Sequence, residues 1–176
     1  MTDDSPIASL GLAPGDGDFA PWCGDIDMRI ARDGTWHYQG TPIGRPALVK
    51  LFASVLSRDE AGDYWLTTPG ERARIRVEDA PFVAVAMSVH GSGPSQRLRF
   101  RTNVGDEIEA DPAHPILVRP RPESGEKAPY LVLRDRLEAL IARAVYYDLV
   151  ALGREAVVEG RRRFGVISAG SFFPLD

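Results

Sequence analysis

The sequence predicts an α+β protein made of two tandem hairpin-plus-helix units, and three observations predict it. Two segments of alternating apolar and polar residues fold back at three-residue loops ending in glycine, Arg32-Asp33-Gly34 and Asn103-Val104-Gly105, where glycine takes the left-handed position such loops need. A stripe of apolar residues at helical spacing follows each hairpin. The order strand, loop, strand, Pro-Ile, helix also recurs, with Gly34 and Gly105 71 positions apart and Pro42 and Pro115 73 apart. The apolar face falls on opposite parities in the two hairpins, so the recurrence is one of topology rather than of residues.

A chain of 176 residues suffices for one ordinary domain or two small ones, and 44% hydrophobic residues supply a globular core. No apolar run reaches the roughly 18 residues that a membrane-spanning helix needs. No basic segment followed by an apolar one opens the sequence, so no membrane partner is expected and the cytoplasm is the expected compartment. The lone cysteine, Cys23, excludes an internal disulfide and a multi-cysteine zinc site. Net charge is −4 and uneven: residues 1–27 hold six Asp and no Lys or Arg, leaving a nearly neutral body. Such a body is a poor electrostatic match for DNA or RNA, and no nucleic-acid partner is expected. Nineteen of the 21 basic residues are Arg, a bias that GC-rich coding explains as readily as anion recognition by guanidinium groups.

In chain order, residues 1–24 are rich in Gly, Pro and Asp and read as a mobile or draped acidic lead-in, with Ile7, Leu10 and Leu12 able to dock. Ile26 to Gly40 reads as a hairpin that sets Ile30 opposite Trp36 and Met28 opposite Tyr38; a two-residue turn would pair apolar with polar side chains. Pro46 opens a helix, where its missing N–H costs little, and Leu48, Leu51, Phe52, Val55 and Leu56 form the apolar stripe. Ser57 to Asp63 reads as a loop and Tyr64 to Thr67 as a strand. Pro69-Gly70 breaks it, Arg72 to Val77 resumes as a strand, and Glu78 to Pro81 turns into the strand Phe82 to Met87. This joint separates an N-terminal domain, residues 25–79, from a C-terminal one, residues 80–176.

His90 to Ser95 is Gly-rich but lacks the Lys and the following helix of a phosphate-binding loop. The second hairpin pairs Arg101 with Glu107, Arg99 with Glu109 and Arg97 with Asp111, and sets Phe100 against Ile108 on the inner face. Three alternating arginines therefore meet three acids in a cross-strand ladder rather than forming a nucleic-acid stripe. His114 to Val118 and Tyr130 to Leu133 read as strands around a Pro-rich loop, Arg119 to Pro129. Asp135 to about Leu152 reads as the longest helix, with Leu137, Leu140, Ile141, Ala144, Val145 and Leu149 inward and Gly153 as its stop. Glu159 to Arg163 is a charged turn, and Gly165 to Phe173 returns as an extended tail.

Several of these stretches together carry a family resemblance. Gly24-Asp25-Ile26-Asp27-Met28, Asp33-Gly34-Thr35-Trp36, Tyr64 to Glu71 and Val77-Glu78-Asp79-Ala80-Pro81-Phe82 resemble the bacterial family called domain of unknown function 1285. Thr102-Asn103, His114-Pro115, Val132-Leu133-Arg134, Tyr146 to Val150 and Gly165 to Ser168 continue the likeness, which spans residues 24–173. The resemblance implies two α+β domains with repeated motifs, the C-terminal one like a pleckstrin-homology fold with a long packing helix. It also implies a nucleotide-like ligand in a cleft between the domains, with a role in signalling.

The residues themselves carry no catalytic signature. His37, His90 and His114 sit on separate segments without metal-ligand spacing, His37 reading as a hairpin surface residue. Cys23 has no basic neighbour to favour a thiolate. The adjacent carboxylates Glu78 and Asp79 would point to opposite faces of a strand. The expectation is therefore a binding or sensing protein rather than an enzyme, without cofactor or metal. Candidate ligand residues are Arg72, Arg74 and Arg76 on one strand face with Asp79 beside them, Arg143, Tyr146 and Tyr147 on one face of the C-terminal helix, and Arg45 at a helix start. The arginine strand reads either as an anion clamp with aromatic neighbours or as a solvated face paired with Glu71 and Glu78. The partner is a nucleotide-like small molecule; the alternative is a protein-interaction adaptor whose partner is another protein or a second copy, with a hydrolase of unusual site as a third reading.

Overall fold

Residues 22–176 are described by a computed structural model, with side chains from Gly24 onward. The docking expected of Ile7, Leu10 and Leu12, and the state of the Cys23 thiol, lie outside the described residues. Contacts divide the chain into two units, residues 1–78 and 79–176.

Unit 1 contains β1 (Trp22–Ile30), β2 (Trp36–Tyr38), β3 (Thr41–Pro42), α1 (Pro46–Ser54), β4 (Leu56–Arg58), β5 (Tyr64–Thr68) and β6 (Glu71–Val77). They form one six-stranded sheet in the order β3-β2-β1-β6-β5-β4. The first hairpin has the expected register, Met28 opposite Tyr38 and Ile30 opposite Trp36. Gly34 takes φ +87°, and Ala31 and Thr35 close the loop with an N–H to carbonyl bond of 2.8 Å. Strand β1 starts at Trp22, within the segment expected to be lead-in. It runs parallel to β6, an arrangement that needs a crossover through the whole unit. Met28, Ile30, Trp36, Phe52, Leu56, Leu66 and Ile75 fill the core, with Trp36 stacked on Phe52 at 6.1 Å. Helix α1 is shorter than its apolar stripe: Leu56 already belongs to β4, and Leu51 is 44% exposed. Ala53 is buried in its stead.

Unit 2 contains β7 (Phe82–His90), β8 (Arg97–Thr102), β9 (Glu107–Glu109), β10 (Ile116–Pro120), β11 (Lys127–Val132), β12 (Glu138–Ile141), α2 (Arg143–Ala151), β13 (Arg154–Val158), β14 (Arg161–Ser168) and β15 (Ser171–Pro174). The first six strands form a sheet in the order β10-β11-β12-β7-β8-β9, with β7 and β12 parallel at its centre. Counted within each unit, both sheets have the strand order 3-2-1-6-5-4. The repeat is thus one of strand order, but it matches β1–β2 with β7–β8. The look-alike loops at Gly34 and Gly105 join strands one and two in unit 1 and strands two and three in unit 2. Their opposite parities follow from those different places.

The long helix expected from Asp135 is corrected to a turn, a strand and a nine-residue helix. Asp135 and Arg136 both take positive φ, and Leu137, Ala139 and Ile141 are buried with a period of two. Pairing with β7 on one side and β11 on the other outweighs helix propensity there. The expected tail is a three-stranded sheet, β13-β14-β15. Buried Ser168 fastens it to the larger sheet: its hydroxyl accepts the Leu98 N–H at 2.9 Å and donates to the Ala110 carbonyl at 2.6 Å. In the second hairpin the register of Arg101 with Glu107 and Arg99 with Glu109 holds, but Asp111 instead bridges His114. The ion pair formed is the diagonal one, Arg97 to Glu109 at 3.1 Å.

Unit 2 begins on a buried polar cluster. The Asp79 side chain, 2% exposed, accepts from Arg121 at 2.8 Å and from the Tyr130 hydroxyl at 2.6 Å. Arg119 lies over the Tyr130 ring at 3.7 Å and is ion-paired with Glu138. Burial first, then the bond to Asp79, pushes the Tyr130 hydroxyl up, so it remains a donor.

Two predictions follow from packing. Gly153 lacks a left-handed backbone; its hydrogen is needed because a Cβ there would enter the Phe164 ring. Gly153→Ala should therefore cost about 1–3 kcal/mol by overpacking, read as a lowered denaturation midpoint, and Phe164→Leu in the same chain should relieve part of it. Asp79→Ala strands Arg121 and Tyr130 and should cost about 3–5 kcal/mol, against about 1–3 kcal/mol for Tyr130→Phe. Urea titrations should show the double variant losing less than the two single losses combined; strict additivity would contradict the cluster.

Candidate functional site

Alternation along β6 buries Glu71, Ala73 and Ile75 and turns Arg72, Arg74 and Arg76 to the opposite face. On β5, Trp65 lies opposite Arg74, and Thr67 opposite Arg72. Trp65 is fixed by its indole N–H, which donates to Asp59 Oδ2 at 2.9 Å. This bond, ahead of backbone N–H bonds, holds the Asp59 carboxyl below the usual range. Arg72 places its guanidinium 4.0 Å from the Trp65 ring centroid, and Arg74 lies 5.6 Å from it. A guanidinium over an indole gains about 0.5–1 kcal/mol at an exposed site and is held flat by it.

The three arginines are not equivalent. Arg74 makes a fork to Asp25, Nε to Oδ1 at 2.5 Å and Nη2 to Oδ2 at 3.0 Å, and reaches Asp63 at 3.5 Å. The hydrogen bond from Arg74 holds the Asp25 carboxyl below its ordinary value; Asp25 therefore stays charged, and the pair intact, throughout the neutral range. Arg76, 73% exposed, reaches Asp27 at 3.6 Å. Arg72 has no carboxylate within ion-pairing distance among the described residues, because its neighbour across the parallel pair is Cys23 while that of Arg74 is Asp25. The reading of this strand as a solvated face paired with Glu71 and Glu78 is thereby corrected. Acids do face it, but they are Asp25, Asp27 and Asp63. Glu71 is 7% exposed on the opposite face, and Glu78 binds Arg29 at 2.6 Å and the Arg32 N–H at 2.9 Å.

Arg45 lies elsewhere in unit 1, at the N-cap of α1, where its side chain makes no capping bond. It borders an open groove of about 360 Å³ shared with Tyr38, Pro42, Ile43 and Leu48. The remaining predicted residues belong to unit 2. Asp79 is buried in the cluster described above and is turned away from solvent. Arg143 and Tyr147 are exposed on α2, Tyr147 at 64%, while Tyr146 is half-buried. The structure thus brings Arg72 and Arg74 together on Trp65, sets Arg76 beside Asp27, and groups Arg143 with the two tyrosines on their helix.

Trp65 and the Asp25–Asp59–Asp63 set were missed as site residues. Trp65 was legible as an alternating partner of the arginines on the next strand, with Asp59 and Asp63 in the loop before it; Asp25 was not, since a parallel neighbour leaves no local signal. The histidines make local contacts: His114 Nδ1 lies 3.0 Å from Asp111 and His90 Nε2 3.1 Å from Ser88. His37 is half-buried rather than a surface residue, and its Nδ1 has no hydrogen-bond partner among the described residues.

Comparison with known proteins agrees with this division. Residues 19–80 match the domain of unknown function DUF1285, N-terminal domain, and residues 81–175 match the protein of unknown function DUF1285, C-terminal domain. The crystal structure of a DUF1285 family protein from Silicibacter pomeroyi is similar with a TM-score of 0.82 and 49% identity, covering 98% of this chain and 94% of that one. A DUF1285 family protein from Shewanella baltica is similar with a TM-score of 0.54 and 28% identity, covering 72% of this chain and 91% of that one. No curated protein matches. The chain belongs to the DUF1285 family.

Proposed function

We propose that the protein binds a nucleotide-like anion on the outer face of the unit 1 sheet and acts in sensing, in the cytoplasm, rather than in turnover. The observation that carries this reading is Arg72: its guanidinium lies against Trp65 at 4.0 Å, and no carboxylate neutralises it among the described residues. A planar guanidinium held on an aromatic ring keeps its donor edge open to a phosphate fork and its second face open to a stacked base. Its orientation is set before the ligand arrives, which lowers the cost of binding. Arg74, saturated by Asp25 and Asp63, contributes positive field and support rather than a vacant fork.

Calorimetric titration with nucleoside mono-, di- and triphosphates tests the proposal. Saturable binding is expected, with Arg72→Gln weakening it by about tenfold or more, the equivalent of one or two charge-assisted hydrogen bonds. Arg72→Lys should recover little, because an ammonium neither forks nor stacks. No heat from any nucleotide, or an unchanged affinity in Arg72→Gln, would end this reading, and steady release of phosphate would replace it with the hydrolase.

The adaptor reading keeps one observation of its own: Tyr147, 64% exposed, stands on α2 with exposed Arg143 and Val150. Aromatic and Arg side chains dominate protein contact surfaces. If α2 is such a surface, Tyr147→Ala should abolish a concentration-dependent rise in scattering mass while leaving nucleotide binding intact; a mass that does not change with concentration would exclude self-association.

A further inference from the structure

We propose a second binding site in unit 1, independent of the Arg72 face: the groove at the start of α1 takes a small monocarboxylate with an apolar body. Its volume, about 360 Å³, lies within the range of small-molecule sites. Its walls divide by chemistry. Pro42, Ile43, Leu48 and the ring of Tyr38 offer apolar surface, while Arg45 supplies the cation at the rim. Among the described residues Arg45 has no ion pair or side-chain hydrogen bond, and the first turn of α1 carries no acidic residue to engage it. Its guanidinium is thus surface charge without a partner among the described residues, beside a concave apolar wall.

Charge count selects the class of ligand. Among the described residues, Arg45 is the one charged residue lining the groove and balances one negative charge; a phosphomonoester would bring nearly two. A carboxylate matches the fork of Arg45 in geometry as well as in charge. The apolar walls require the rest of the ligand to be hydrocarbon or an aromatic ring, since a polar body would lose its water there without replacement bonds. Thr41 also lines the groove and adds a hydroxyl, a donor and acceptor, to its polar part.

Octanoate and 4-phenylbutyrate are the probes, with octanol and octyl phosphate as controls, followed by amide NMR of the full chain. Saturable shifts confined to residues 38–48 are expected for both carboxylates, with octanol and octyl phosphate each weaker by about tenfold or more. Arg45→Gln should bring octanoate down to the level of octanol, and Leu48→Trp, which fills the groove, should abolish both. Arg72→Gln should leave octanoate unaffected, which separates this site from the nucleotide site. Octanol or octyl phosphate binding as tightly as octanoate, an unchanged affinity in Arg45→Gln, or shifts outside residues 38–48 would overturn the proposal.

Discussion

The parallel pairing of the first and last strands at the centre of each sheet is the constraint on which the rest depends. In unit 1 it joins β1 to β6, and in unit 2 β7 to β12. A parallel pair cannot close by a tight turn, so everything between its two strands must leave and return. Each unit meets this requirement with four intervening strands, two on either side of the central pair, and unit 1 adds α1. The central strands carry buried alternations, Met28 and Ile30 in one unit, Ala139 and Ile141 in the other.

The same pairing decides the electrostatics of the candidate site. Register sets Asp25 beside Arg74 and Cys23 beside Arg72. One arginine is thereby neutralised by its own fold, and another two residues away is left with an aromatic platform and, among the described residues, no acid. A slip of two residues along β1 in one direction would set Asp25 beside Arg72 while keeping every inward side chain inward. Beyond the irregularity between Asp25 and Arg29, Arg29 lies opposite Arg76, and Asp27 still reaches Arg76 at 3.6 Å. A repeated detail marks the two units as variations on one plan: an Arg on the fourth strand lies over a Tyr on the fifth in both, Arg58 over Tyr64 and Arg119 over Tyr130. In unit 1 that Tyr is half-buried; in unit 2 it is fully buried and bound to Asp79.

What was legible in the sequence was local. Gly34 and the alternation on either side of it determine the first hairpin down to its register, and Pro46 determines where α1 begins. The parallel pairs were not legible, because strands separated by most of a unit leave no spacing to read. That is why Asp25 and Asp27 were weighed as hairpin residues and lead-in charge rather than as partners of β6. The segment from Leu137 to Leu149 satisfies both a helical period and, in its first third, a strand period. Only the neighbours supplied by β7 and β11 decide between them. Arg72, Arg74 and Arg76 were found by alternation alone, whereas the inequality among them depends on a register no local pattern contains.

Side-chain NMR of the arginine Nε–H groups measures that inequality directly. With an adenosine monophosphate titration followed on those signals, the Arg72 resonance should shift and sharpen as the ligand saturates, while those of Arg74 and Arg76 stay near their starting positions. An Arg72 signal that never moves, while another arginine responds, would contradict the claim that strand register leaves this guanidinium open for a ligand.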